Sequence, residues 1–187
     1  RAEEAIREQK LALELDPLSL IINKGLGHRM VLAGQYQEAI EVLSQTLEID
    51  PDFAPAYRDM GFAYLELGNH GEALKALEKT RSITGDLRSM NTYALGYGYG
   101  IAGKTDEARE ILEQYNKLAE EQYVSPYIFA CLYRGFNALE ACFLWLNWAY
   151  EERDPSLVFL KTHPVWNPVR SDQGFLEIYR QMWPEDN

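Results

Sequence analysis

Apolar positions return every three to four residues along most of the chain, and short breaks containing glycine, proline or asparagine interrupt them. That spacing places the apolar residues on one face of successive α-helices. Residues 2–15, AEEAIREQKLALEL, read as one helix ended by Asp16-Pro17. Residues 18–33 and 36–49 form a pair divided at Gly34-Gln35. Asp50-Pro51 stops the second member, because proline cannot continue the helical hydrogen bonding. Residues 53–67 and 70–83 repeat the scheme around Gly68-Asn69, and Gly85-Asp86 leads to a third pair at about 88–102 and 105–120. A fourth pair, within 125–155, turns at Gly135-Phe136-Asn137-Ala138 and carries Phe143, Trp145 and Trp148 on its second helix. In the tail, Ser156 can cap a short helix, His163-Pro164 and Asn167-Pro168 force turns, and Ser171 or Asp172 starts a last amphipathic helix ending before Pro184.

The pairs are copies of one another. Gly27, Gly61 and Gly96 lie 34 and 35 residues apart, and Gly34, Gly68 and Gly103 keep the same steps, as do Ala39, Ala73 and Ala108. A period of this length predicts a stack of helix pairs, each covering its neighbour's apolar face. Gly61 and Gly96 are expected to meet Ala73 and Ala108 where the two helices of a pair approach, with leucines and tyrosines filling the volume around them. Ala5, Ala12 and Pro17 stand one period before Ala39, Thr46 and Pro51. The opening helix therefore reads as the second half of a repeat, and the chain as a piece of a longer protein.

Leu26, Gly27, Tyr36, Ala39, Leu43 and Pro51 in the first full copy match the pattern of the tetratricopeptide repeat. So do Tyr57, Gly61, Tyr64, Ala73 and Leu77 in the second, and Leu95, Gly96, Tyr99, Ala108, Leu112 and Tyr115 in the third. A divergent fourth supplies Ala130, Tyr133, Cys142, Leu146 and Ala149. The chain thus resembles that family. The resemblance implies an all-α, right-handed solenoid of antiparallel helix pairs with a C-terminal capping helix. Its divisions would be a half repeat at 1–17, repeats at 18–51, 52–86 and 87–121, a divergent repeat at 122–155 and a cap at 156–187. The words ERDP at 152–155, LVFLK at 157–161 and HPVWNPVRSDQGF at 163–175 resemble the C-terminal module of bacterial tetratricopeptide proteins fused to adenylate cyclases, protein kinases or winged-helix regulators. Trp166, Phe175 and Tyr179 are then expected to cover the last helix pair, including its Phe143, Trp145 and Trp148.

Composition narrows the function. The 187 residues are 47% hydrophobic, enough to bury an interior. A formal charge of −11 argues against nucleic acid and anionic membrane as partners. No stretch is long and apolar enough to span a bilayer, and the N-terminus lacks a signal peptide's apolar core, so a cytoplasmic location is expected. Cys131 and Cys142 are the only cysteines, and buried free thiols are the expected state.

Residues 98–105, GYGIAGKT, satisfy the phosphate-loop formula. A phosphate loop follows a β-strand and opens a helix, so that free backbone amides cradle phosphate. Here the stretch falls at the end of a helix and in an inter-helix turn, and no nucleotide site is expected. His28, His70 and His163 are scattered without ligand spacing, so no metal or other cofactor is expected. The acidic pairs Glu3-Glu4, Glu120-Glu121 and Glu151-Glu152 read as solvated helix surface, and no nucleophile stands beside a base. The chain is not expected to be an enzyme.

By analogy with the family, the first helices line a concave trough. Lys24, His28, Val31, Leu32, Arg58, Phe62, Leu65, Met90, Tyr93, Tyr97, Ile101, Tyr127, Cys131 and Arg134 would face into it. The peptide-binding set is expected at Lys24, His28, Arg58, Phe62, Leu65, Tyr93, Tyr97, Tyr127 and Arg134, centred on Phe62, Tyr93 and Tyr97, with Arg58 and Arg134 selecting acidic groups. Packing between repeats is the competing role for each of them. A chaperone-tail clamp is disfavoured: Lys24 matches its first lysine, but His28 and Asp59 replace its asparagines, and Met90 and Ala94 its last basic residues. The expected function is a noncatalytic protein- or peptide-binding module of a larger bacterial signalling or regulatory protein. The alternative is a structural segment that self-associates, as a homo-oligomer, through the aromatic fourth repeat and its terminal helices.

Overall fold

The computed structural model describes residues 2–85 and 92–186, and within them the chain is all helical, with no strand. Helix α1 spans Ala2–Leu15, and four antiparallel pairs follow: α2 (Leu20–Leu32) with α3 (Tyr36–Ile49), α4 (Ala54–Glu66) with α5 (His70–Thr84), α6 (Tyr93–Ile101) with α7 (Thr105–Glu121), and α8 (Pro126–Gly135) with α9 (Leu139–Glu151). Two 3-10 segments, Pro155–Lys161 and Pro164–Val169, lead to α10 (Gln173–Met182). The predicted start of the third pair at 88, together with Met90, lies outside the described residues.

The breaks inside the pairs, and the one after α9, close in the same way. One residue takes a left-handed backbone: Gly34, Gly68 and Gly103 at φ of 78°, 73° and 76°, Asn137 at 55° and Arg153 at 56°. The next amide then donates to a carbonyl five residues back, as Gln35 does to Met30, Asn69 to Tyr64, Lys104 to Tyr99, Ala138 to Tyr133 and Asp154 to Ala149. This satisfies carbonyls that the helix end would leave bare. Asparagine tolerates the left-handed region better than other side chains, which is why the fourth pair turns there without glycine.

The first helices touch one another in the series α2, α4, α6, α8, and each second helix packs on the first helices beside it, which puts the first helices on the inner face. Glycines set the depth of packing. A Cβ on Gly27 would meet Leu43 at 2.5 Å, one on Gly61 would meet Leu77 at 2.5 Å, and one on Gly96 would meet Leu132 and Ile111. The close partner of Gly61 is therefore Leu77, one turn beyond the expected Ala73. Leucine fills the notch that the missing side chain leaves.

The tail differs from expectation in two respects. Asp154, not Ser156, caps the first 3-10 segment: its carboxylate accepts the Ser156 amide at 2.8 Å and the Ser125 hydroxyl. Pro155 fits the first position because it has no amide to satisfy. Asp172 caps α10 by accepting the Gly174 amide. Helix α10 packs on α9, where Gly174 lies against Phe143, but Trp148 stays 47% exposed. Between α9 and α10 the chain runs back across the inner face, so the tail covers more than the last pair.

Candidate functional site

The tail is fastened over the inner face at three points. Trp166, fully buried, donates its indole N–H to the Tyr127 hydroxyl at 3.0 Å and packs on Phe175. His163 meets Phe62 edge-on at 4.6 Å between centroids. Asn167 donates to the Tyr36 hydroxyl at 3.3 Å and to Glu66 at 3.1 Å, while Arg170 holds Asn167 from the other side at 3.0 Å. Burial and the Glu66 carboxylate push the Tyr36 hydroxyl up to about 12.

What the tail leaves open is a cavity of about 190 Å³ lined by Lys24, His28, Arg58, Tyr93, Tyr127, Phe159 and His163. Its electrostatic centre is Asp59, 1% exposed, beside that wall. Arg58 donates to one carboxylate oxygen from Nε at 2.9 Å and Nη2 at 2.7 Å. Lys24 Nζ at 3.3 Å and His28 Nδ1 at 3.1 Å take the other oxygen. Burial alone would raise the Asp59 carboxyl, but Arg58 first, then His28 and Lys24, reverse that and hold it well below the usual carboxylate range. One anion thus gathers cations on consecutive first helices, since Lys24 and Arg58 stand one period apart. Lys24 and Arg58 together outnumber Asp59, so the pocket is locally positive in a molecule of net charge −11. His163 does not add to that charge. Burial drives its pKa down to about 3, and its Nδ1 accepts the Val165 amide at 3.3 Å.

Of the nine residues singled out from the sequence, Lys24, His28, Arg58, Tyr93 and Tyr127 converge on this cavity. Phe62, Leu65, Tyr97 and Arg134 are buried and form no part of its wall. Phe62 lies under His163 and packs against Tyr93 and Tyr97. Burial raises the Tyr93 and Tyr97 hydroxyls far above the usual tyrosine value. Phe159 and His163 are walls that the periodic reading missed, because the segment holding them has no helical period. Asp59 was legible only as a misfit to the chaperone clamp, although its place one residue after Arg58 puts it within reach of the same column of cations.

The phosphate-loop look-alike is a packing device. Gly98 lies against Leu77, a Cβ on Gly100 would meet the Gly135 backbone at 2.6 Å, and Gly103 makes the turn. Its amides at Ala102, Gly103 and Lys104 already donate to Gly98, Gly100 and Tyr99. Both cysteines are buried, which pushes the Cys142 thiol up to about 12 and Cys131 well above its ordinary value. No group of three His, Cys, Asp or Glu among the described residues is placed to hold a metal. No helix among them is long and apolar enough to cross a membrane.

Residues 30–88 match the family model of the tetratricopeptide repeat. Solved structures of the same fold include MamA, at 23% identity, covering 84% of this chain and 91% of that one with a TM-score of 0.56. A tetratricopeptide repeat protein from Parabacteroides merdae is 15% identical and covers 98% of this chain and 73% of its own, with a TM-score of 0.56. A putative kinesin light chain from Podospora anserina, with nearly identical tetratricopeptide-like repeats, is 18% identical over 97% and 89%, with a TM-score of 0.57. A comparison with curated protein sequences gives no match. The fold is therefore a tetratricopeptide-type solenoid of helix pairs, an architecture that generally mediates protein–protein interaction.

Proposed function

We propose that the protein is a noncatalytic binding module of a larger bacterial signalling or regulatory protein, and that it takes a protein or peptide segment at the inner face. The observation that carries this reading is the convergence of Lys24, His28 and Arg58 on one open, aromatic-walled cavity. Such a pocket suits an acidic side chain, with Tyr93 and Tyr127 offering rigid surfaces that lose little entropy on contact. Phe62, Leu65, Tyr97 and Arg134 then act from below, holding the wall and the tail in place.

The test places a photo-crosslinking residue beside Lys24, recovers the partner from source cells and titrates it against variants. Lys24→Glu, on a partly exposed side chain, is expected to weaken binding about tenfold or more and to remove much of its salt dependence, with circular dichroism unchanged. Normal binding by that variant and by His28→Ala would exclude the inner pocket.

A second reading, self-association, has its own support: Leu11, Leu15, Leu18 and Ile21 are 48%, 89%, 71% and 76% exposed at the N-terminal end of the stack. Apolar exposure of this kind favours a covering partner. Solution mass that rises with protein concentration, and stays monomeric in Leu15→Glu/Ile21→Glu, would favour self-association over a foreign partner.

A further inference from the structure

Trp145 and Trp148 leave α9 on a different side from Phe143, away from the tail. Phe129 stacks on Trp145 at 4.3 Å between centroids, and Trp145 stacks on Trp148 at 4.8 Å, with ring planes 20° and 19° apart. The end of α7 and the segment after it, including Tyr123, complete a cavity of about 150 Å³. Tyr123 is 69% exposed and Trp148 47%, so this is an open aromatic surface rather than core. One charged side chain lines it: Glu152, whose Oε1 accepts the Trp148 indole N–H at 2.9 Å. The Tyr123 hydroxyl is hydrogen-bonded to the same acid; burial, then Asp154 and the Glu152 carboxylate, raise it above its ordinary value. A carboxylate fixed by an indole N–H at the lip of stacked rings is already oriented before any ligand arrives.

The charge around it has one dominant sign. Glu120, Glu121, Glu151, Glu152 and Asp154 lie on or within two residues of the lining residues, against Lys117 and Arg153. Ring faces carry negative electrostatic potential and attract cations, most strongly on tryptophan. Among cationic side chains the guanidinium is planar, less hydrated than an ammonium and able to stack while donating to a carboxylate. We propose that this cavity is a second docking site, which takes an arginine side chain of a partner protein segment flat against Trp148 with its N–H groups on Glu152. It is separate from the inner pocket and opposite to it in charge preference, so the two sites stand or fall independently.

The experiment titrates the full chain with an acetylated pentapeptide carrying one arginine between glycines, and with its citrulline counterpart, while following the tryptophan indole N–H resonances. Saturable shifts of Trp145 and Trp148 are expected with the arginine peptide. Citrulline, which keeps shape and loses charge, is expected to bind about fivefold more weakly or worse. Glu152→Gln and Trp148→Ala, both at exposed positions, should each weaken the arginine peptide by about fivefold with circular dichroism unchanged. No saturable shift at concentrations on the order of 10 mM, equal binding of the citrulline peptide, or full binding by both variants would overturn the assignment.

Discussion

His163 carries the tail's pressure on the inner face, and its protonation state is a property of the fold. The imidazole sits edge-on to Phe62, caps a 3-10 turn through Nδ1 and is held neutral, with its pKa driven down to about 3 by burial. In the unfolded chain it titrates near 6.5, so the unfolded state gains a proton first as pH falls. The contribution is full above pH 6.5 and is lost progressively toward pH 3, at up to about 1.4 kcal/mol per pH unit. Asp59 behaves in the same sense but in a lower window: its carboxyl is held low, so its share is present above its ordinary 3.8 and is lost only below it. Across pH 6.5 to 4, above the window in which Asp59 loses its share, the difference between a His163 variant and the parent therefore reads His163. Urea midpoints of His163→Asn, which keeps an acceptor at that position, should fall less steeply across this interval than those of the unaltered protein. Identical slopes would mean that the histidine is not buried neutral. None of this was legible in the sequence, where His163 preceded a proline and had no periodic neighbours to betray its burial.

Among the elements, α6 and α8 come together backbone to backbone. A Cβ on Gly100 would stand 2.6 Å from the Gly135 carbonyl, and one on Gly135 would stand 2.9 Å from the Tyr97 carbonyl, so neither neighbour can swing aside. Gly98 in the same helix would meet the tip of Leu77, which can. Gly71, early in α5, would meet nothing within 4 Å and has no left-handed backbone. Chemical denaturation should accordingly rank three alanine substitutions. Gly71→Ala stabilises by about 0.5–1 kcal/mol through helix propensity, Gly98→Ala is intermediate, and Gly100→Ala destabilises by about 1–3 kcal/mol or more. A Gly100→Ala protein as stable as the parent would show that the two helices do not cross there. Helix order and turn positions were readable because both are local: a left-handed glycine and a three-to-four-residue apolar spacing each leave a mark within one repeat. The Gly100–Gly135 crossing was masked by its own coincidence with a nucleotide-binding formula.

At the scale of the molecule the tail decides the shape of the inner face. Leu157, Leu160, Val165, Trp166 and Val169 are buried, so the segment is part of the core that it covers. Trp166→Ala should cost about 3–5 kcal/mol, and removing residues 155–187 should expose Phe62, Tyr93, Tyr97 and Tyr127 to an apolar dye and promote aggregation. A truncated chain that stays monomeric and equally stable would reduce the tail to an appendage. Its path was the part hidden from sequence reading: amphipathic spacing can mark Trp166 as buried, but it cannot say against which repeat. An array whose units touch only their neighbours can fold as it emerges, each pair completing the last. Here the first pair gains one of its contacts only later, because the side chain that donates to the Tyr36 hydroxyl belongs to Asn167, 131 positions on. At translation rates of about 5–20 residues per second, the start of α3 waits roughly 7–26 s on the ribosome before that partner has been made.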